Sequence, residues 1–522
     1  MTADTERGAL ELIREAEGLE RCEDWSQAAE LYKGALTYLP LESQLWHRTG
    51  MCLRRSGSPD QALDYLEKAS VLSPEDVAIK MDLGDTQVEL RMLGEAIQTY
   101  LKVQKLEPEN ISAHNNLAIA LQQGRLFDDA AAALKRTLQI APDDPVVMGN
   151  YGSALLKTGQ IRQAIDQFEQ ALAIAPDLSE VWSNYGVALQ EEHRMDAALD
   201  AHRKAVALAP ENHAIHYNNA MSFLLYGRFE EGFTAFEHRL EMPDRKPREF
   251  GGIRWTGEDL AGKKILVHAE QGVGDCIQFA RFLPLLNEMG AQVIFASHSS
   301  LLRLFTTLGG IQELIGPDQK PSDFDFQTPL LSLALRLDPN LERLASLSNP
   351  YLKVPRRTEC PLGEKGARMR VGLVWAGNPL HANDRNRSCP FEQLHPLFDL
   401  PHIQWVNLQV GERSREFSTV PAGNLDISAS LKDFAATAAA ISNLDLLISV
   451  DTSVLHLAGA LGVRAWALLS YAPDWRWMLE RRDSPWYPTL TLYRQKQPGD
   501  WAALVANIKA DLALVDQANP GN

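Results

Sequence analysis

The residues best placed to do chemistry follow three apolar runs. LDLLISV (444–450) ends at Asp451 and Thr452, and SVLHLAGALG (453–462) continues in a helical pattern with His456 one turn on. A strand that runs into a helix leaves unpaired backbone N–H groups at the first turn. The helix dipole there favours an anion by about 0.3–1 kcal/mol, up to about 2 when partly buried. With the Thr452 hydroxyl and the His456 imidazole added, this is a natural diphosphate cradle. Asp451 has the wrong charge for a phosphate and suits a ribose or sugar hydroxyl, or an orienting bond to the cradle. Ala458, Gly459 and Ala460 permit close packing.

The second run, KKILVHAE (263–270), leads into QGVGD, which places Glu270, Gln271, Gly272, Gly274 and Asp275 at a strand end and a glycine turn. A carboxylate in this position is a candidate base, and equally a helix N-cap. The GxG lacks the third glycine of a dinucleotide fingerprint, which counts against an oxidoreductase. After the third run, VGLVWAG (371–377), come Asn378, His381, Arg385 and Arg387. Arginine forks suit phosphate oxygens, although a solvated loop would read the same way. Gln409, closing QWVNLQ, either reads a base or ribose or lies in a surface loop. PDWRW (473–477) and SPWYP (484–488) concentrate aromatic rings that suit core packing, with Trp475, Arg476 and Trp486 as candidates to reach a ligand.

The elements positioning these groups alternate from Gly252 onward. Strand, glycine turn, the helical CIQFARFLPLLNEMG and a second strand AQVIFASH (291–298) describe a parallel βαβ unit. RRTECPLGEKGAR (356–368) is a predicted linker. Beyond it the alternation restarts with VGLVWAG, QWVNLQV, LDLLISV and RAWALLS. In such sheets ligands sit beyond the carboxyl ends of the strands, where the chemistry-bearing loops lie.

The first half is different. Pro40, Pro74, Pro108, Pro142, Pro176 and Pro210 are each 34 residues apart, and twelve residues before each lies Ala28, Ala62, Ala96, Ala130, Ala164 or Ala198. A small side chain at that point lets two helices of a hairpin approach closely. Asn116, Asn150, Asn184 and Asn218 recur with the same period on the first helix of four successive units. An amide both donates and accepts, so such a ladder could grip the backbone of an extended peptide; the alternative is that asparagine is common there for no binding reason.

Composition narrows the classes. The 522 residues require two or three domains. A net charge of −17 argues against a nucleic-acid partner. Five cysteines without CxxC spacing suggest neither zinc nor disulfides. The opening residues lack a basic stretch followed by an apolar run, and no transmembrane segment is predicted, so the expected location is cytoplasmic.

With Trp46, Gly50, Gly84, Tyr151, Gly152, Trp182, Tyr185 and Gly186 in register, residues 9–242 resemble the tetratricopeptide (TPR) repeat family, with a degenerate seventh unit from His213. EQGVGDCIQFARFLPLL, VGLVWAGNPLHANDRNRS, LDLLISVDTSVLHLAGALG and PDWRWMLERRDSPWYPTLTLYRQ are similar to the C-terminal module of bacterial TPR glycosyltransferases, to the lipopolysaccharide heptosyltransferases and, more distantly, to O-GlcNAc transferases. The resemblance implies an α superhelix (1–250) followed by a GT-B module of two Rossmann-like α/β domains (251–360 and 361–522), the first of them short for that fold. It implies a protein O-glycosyltransferase whose repeats capture a client, flagellin fitting best, with a nucleotide sugar as cosubstrate and no cofactor. Asp275, with Glu270 and Gln271 as alternatives, is then the candidate base, and His456 is a catalytic candidate at the leaving group. His456, Gly274, Asn378, His381, Arg385, Arg387, Gln409, Asp451, Thr452, Trp475 and Arg476 are the candidate donor-binding set, and the O-GlcNAc transferase superhelix assigns the asparagine ladder to the client. Asp323, Phe324 and Asp325 match the metal-holding DxD of other glycosyltransferases, but fall in a predicted strand away from the phosphates, so no metal is expected. Two other readings stay open: transfer to lipopolysaccharide or another glycan, and a scaffold with a vestigial transferase module.

Overall fold

The computed structural model describes residues 3–242, 248, 250–338, 340–347, 350–381 and 383–518. The chain divides into two compact units, Met1–Ala188 and Leu189–Asn522.

The first unit is a run of helix pairs, beginning Ala3–Arg21 and Trp25–Leu36 and repeating through Pro145–Lys157 and Ile161–Ile174. The 34-residue period sets local structure at several points. Asp76, Asn110 and Asp144 each cap the first helix of a pair by accepting from backbone N–H groups of its first turn. Ala28, Ala62, Ala96, Ala130 and Ala164 are all fully buried. A Cβ added at Gly50, Gly84 or Gly152 would lie 2.7, 2.6 or 2.6 Å from Leu66, Tyr100 or Phe168 respectively, so the missing side chain is what admits the partner's.

The second unit starts inside the repeats. Helices Met195–Leu208, His213–Leu225 and Phe229–Phe236 precede two parallel sheets. The first contains β1 (Ile253–Arg254), β2 (Lys264–His268), β3 (Gln292–Ala296), β4 (Ile311–Ile315) and β5 (Phe326–Pro329), in the order β1-β5-β2-β3-β4. The second contains β6 (Met369–Val374), β7 (Ile403–Asn407), β8 (Leu425–Asp426), β9 (Leu446–Val450), β10 (Ala465–Leu469) and β11 (Leu490–Arg494), in the order β11-β10-β9-β6-β7-β8. In each sheet the chain builds outward to one side of a central strand, then crosses to the other. The switch points are therefore β2/β5 and β6/β9, where open parallel sheets leave a crevice.

Two local expectations are corrected. The stretch 276–290 is not one helix: the helix Val273–Phe279 gives way to a 3-10 turn, Ala280–Phe282, before Leu283–Glu288. Pro284, at the start of that last segment, lacks the N–H needed to continue the ladder. Asp323 and Phe324 precede β5 rather than lying in it, and the Asp325 carboxylate accepts from the Lys264 N–H at 2.8 Å, a strand-edge tether.

The last helix pair belongs to the core of the sheets. Phe233 meets Phe279 and Trp475 edge-on at 6.5 and 6.0 Å between ring centres, and Phe229 meets Trp486 at 6.4 Å. Arg239, fully buried, forks onto Glu270 at 2.9 and 2.7 Å and also reaches Glu237 and Ser332.

Candidate active site

Loops from both switch points line one cavity of about 440 Å³. The loop after β2 supplies Gly272 to Asp275, and the loop after β6 supplies Gly377, Asn378, His381, Asn383 and Arg387. Asp451, Thr452, Ser453 and His456 follow β9, while Asp474 and Arg476 follow β10.

Two helices point their N-termini at this space. Gly272 caps Val273–Phe279 and Thr452 caps Ser453–Leu461, whose first-turn N–H groups face the cavity end of the helix. The helices touch at Gly274, where a Cβ would stand 3.1 Å from His456 Cδ2 and 3.5 Å from Ser453 Cα. Ser449 and Thr452 share a hydroxyl contact of 3.1 Å that steadies the cap. At Gly377 an added Cβ would lie 2.4 Å from the Arg387 guanidinium, so this glycine lets the arginine lie across the loop. The Gly377 N–H donates to Ser388 Oγ at 2.9 Å, and Ser388 Oγ donates to Asp384 at 2.9 Å.

Electrostatics in the cavity are mixed. Asp275 accepts from the Gly272 N–H at 2.9 Å through one oxygen and from Arg476 through the other. Burial pushes its carboxyl up from the ordinary range against the pull of Arg476. Arg476 also donates to Asp474 at 2.8 Å and Gln278 at 2.5 Å, and its guanidinium covers the Trp475 ring at 4.3 Å. Burial and the neighbouring Asp474 push Asp451 up to about 6. Burial, with the charges of Arg476 and Arg281, holds the His456 imidazole well below its usual value, so the ring is neutral at pH 7.

Of the sequence-derived candidates, Asp275, Gly274, Asn378, His381, Arg387, Asp451, Thr452, His456 and Arg476 meet at this cavity. The others are placed elsewhere. Glu270 is consumed by the buried pair with Arg239 and by the Leu331 N–H at 3.1 Å. Gln409 accepts from the Trp375 and Ala376 N–H groups at 3.2 and 2.9 Å, bracing the start of the β6 loop from behind. Trp475 and Trp486 are in the aromatic core, and Gln271 and the exposed Arg385 lie outside the cavity lining. The four ladder asparagines are half-buried. Asn116 donates to Asp85 at 2.9 Å and Asn150 to Asn115 at 2.6 Å, so both spend a donor on the adjacent repeat.

Sequence reasoning missed Asp474, Ser453 and Asn383. Asp474 lies within PDWRW, whose tryptophans are a signal for packing. Its own signal is that of a cap: the carboxylate accepts from the Arg476 N–H at 3.0 Å and so presents Arg476 to the cavity. Among the described residues no trio of His, Cys, Asp or Glu is arranged to hold a metal ion, and no helix is long and apolar enough to cross a membrane.

Tetratricopeptide-repeat family models match residues 13–77, 81–145 and 120–184, so the first half carries these repeats. Protein FlbA of Caulobacter vibrioides is 28% identical over 323 residues, 55% of this chain and 53% of that protein; the chain thus spans about half the length of this curated relative. Similar solved structures include a thermophilic TPR protein of Thermus thermophilus (24% identity, 35% of this chain and 99% of that one, TM-score 0.31). Another is PilF of Pseudomonas aeruginosa (16% identity, 40% and 95%, TM-score 0.34).

Proposed function

We propose that the chain is a protein O-glycosyltransferase that moves a sugar from a nucleotide-sugar donor to Ser or Thr hydroxyls of a client held by the repeats. Residues 251–360 and 361–522 are the two halves of a GT-B module, and the cavity is its donor site. The observation that carries this reading is the meeting of both sheets' switch-point loops around one space that is lined by a helix N-terminus, Arg387 and Asp275.

In this reading the donor phosphate lies against Thr452, the first-turn N–H groups from Ser453, and Arg387, with His456 as a further donor. The acceptor oxygen attacks the anomeric carbon while the bond from that carbon to the phosphate oxygen breaks, and the electron pair leaves with the nucleotide. Asp275 takes the acceptor proton. Its raised pKa suits the task, because a base works best when its pKa approaches the working pH. The stabilisation of the leaving group comes from protein donors. Asn116, Asn150, Asn184 and Asn218 hold the client backbone, each hydrogen bond contributing about 0.5–1.5 kcal/mol, so that several must act together. Flagellin is the client implied by the sequence resemblance.

Intact-mass spectrometry of flagellin co-expressed with the full chain tests this. Added sugar mass with the wild type and none with Asp275→Ala is expected; no added mass in either would sink the proposal. Changing the four asparagines to alanine should weaken client capture and leave nucleotide binding intact.

A further inference from the structure

We propose that Tyr487 fixes the tautomer of His456, so that the ring presents an Nε2–H donor to an anion in the cavity. The inference deepens the donor-site reading above and rests on it.

His456 is 5% exposed and has two unlike edges. Nδ1 faces inward, 3.0 Å from the Tyr487 hydroxyl. The opposite edge faces the cavity: a Cβ on Gly274 would lie 3.1 Å from Cδ2 and 3.7 Å from Nε2. Trp477 stacks on the ring at 5.3 Å and blocks rotation. Which nitrogen carries the proton is therefore decided by what the phenol does.

Tyr487 has one proton to give, and its surroundings are rich in donors. Arg281, which can only donate, holds its guanidinium 4.6 Å from the Tyr487 ring centre. Its hydrogens go to Trp486 O at 2.7 Å, Gln278 O at 2.9 Å and the Tyr351 hydroxyl at 3.3 Å. Tyr351 spends its own proton on Ile277 O at 2.8 Å. The Tyr487 hydroxyl is hydrogen-bonded to His456 Nδ1, and because a phenol O–H is a stronger acid than an imidazole N–H and an imidazole nitrogen a stronger base than a phenol oxygen, the phenol proton goes to Nδ1. Gly459 makes the arrangement possible, since a Cβ there would stand 2.3 Å from the Tyr487 ring. A neutral imidazole that accepts at Nδ1 carries its hydrogen on Nε2, the edge that faces the cavity. Tyr487 is a positioning residue: it touches no ligand and acts through His456.

Long-range 15N–1H NMR of the full chain, labelled at histidine nitrogen and assigned with His456→Gln, reads the tautomer directly. The expected signature is a neutral ring protonated at Nε2 from pH 6 to 8, with the Nε2 resonance shifting as inorganic pyrophosphate is titrated in. In Tyr487→Phe the ring loses its inner partner. A mixture of tautomers and a fall in pyrophosphate affinity of about three- to tenfold are expected, the range for losing one hydrogen bond. A ring protonated at Nδ1, a cationic ring, or an Nε2 indifferent to saturating pyrophosphate in the wild type would overturn the proposal whether or not the variant folds. If pyrophosphate moves Nε2 while flagellin gains no sugar, the tautomer inference stands and the transferase reading fails.

Discussion

Asp275 is held from two sides, by the Gly272 N–H and by Arg476, and both contacts shape its chemistry. They aim the carboxylate at the cavity and lower its proton affinity, while burial raises it, with the net direction upward. Asp275→Asn keeps the shape and one acceptor oxygen for these partners but cannot take a proton. Sugar transfer should fall by about 10²–10⁴-fold while nucleotide binding, read by thermal shift, persists. Retained turnover would remove Asp275 from the mechanism. Asp451 makes a separate prediction about stability. Its folded pKa of about 6 exceeds the ordinary aspartate value of 3.8, so between those pH values the folded state binds more protons than the unfolded one. Its contribution to stability therefore falls as pH rises through that window, and at pH 7.5 the charged carboxylate is a cost. Asp451→Asn should melt higher than wild type at pH 7.5, by about 2 °C or more, and the gap should close near pH 4, as differential scanning fluorimetry can show.

At the scale of elements, the repeats carry a strain that recurs with their period. Glu23, Gly57, Arg91, Arg125, Gly159, His193 and Gly227, each 34 residues from the last, all have positive φ between the two helices of a pair. Only three are glycine. A side chain in this region costs about 1–2 kcal/mol, so Glu23→Gly, at an exposed site, should stabilise the first unit by about 1 kcal/mol in urea unfolding. Gly84→Ala should do the opposite, costing about 1–3 kcal/mol, because its Cβ would enter the Tyr100 ring. The proline and alanine periods were legible in the sequence because each unit repeats the same packing problem. The strands were legible too: their buried apolar runs were placed to within a few residues at β2, β3, β6, β7, β9 and β10. What was not legible depended on contacts far along the chain. Nothing local to Glu270 announces Arg239, 31 residues earlier, and nothing local to Gln409 says that the N–H groups of the β6 loop lie above it. Loop residues identified by motif came together at the cavity because a parallel sheet brings its carboxyl-end loops to one edge. The roles of individual side chains there depend on neighbours that spacing does not specify.

At the scale of the molecule, the last helix pair is part of the sheet unit rather than an attachment to it. Phe229 and Phe233 cover Trp486, Phe279 and Trp475, and in the turn before Met195–Leu208 His193 stacks on Tyr471 at 4.2 Å and hydrogen-bonds its carbonyl at 3.0 Å. Arg239 supplies the only charge that the Glu270 fork engages among the described residues. Cutting the chain at residue 251 would bare those rings and leave the Glu270 carboxylate buried without its partner, a loss of about 3–5 kcal/mol from the ion pair alone. A fragment of residues 189–522 should therefore fold, giving a monodisperse peak, a near-ultraviolet circular dichroism signal and a cooperative melt. A fragment of residues 251–522 should aggregate or melt without cooperativity. Equal stability of the two would mean that the hairpin only rests on the sheets. Arg239→Met and Glu270→Met separate the charge from the packing: each alone should destabilise the 189–522 fragment, and the double variant should recover most of the loss, since two apolar side chains of similar volume leave no charge unpaired. Were the double variant as weak as either single one, the fork's geometry rather than its charge balance would be what joins the hairpin to β2, and the rigidity of the loop carrying Asp275 would depend on that geometry.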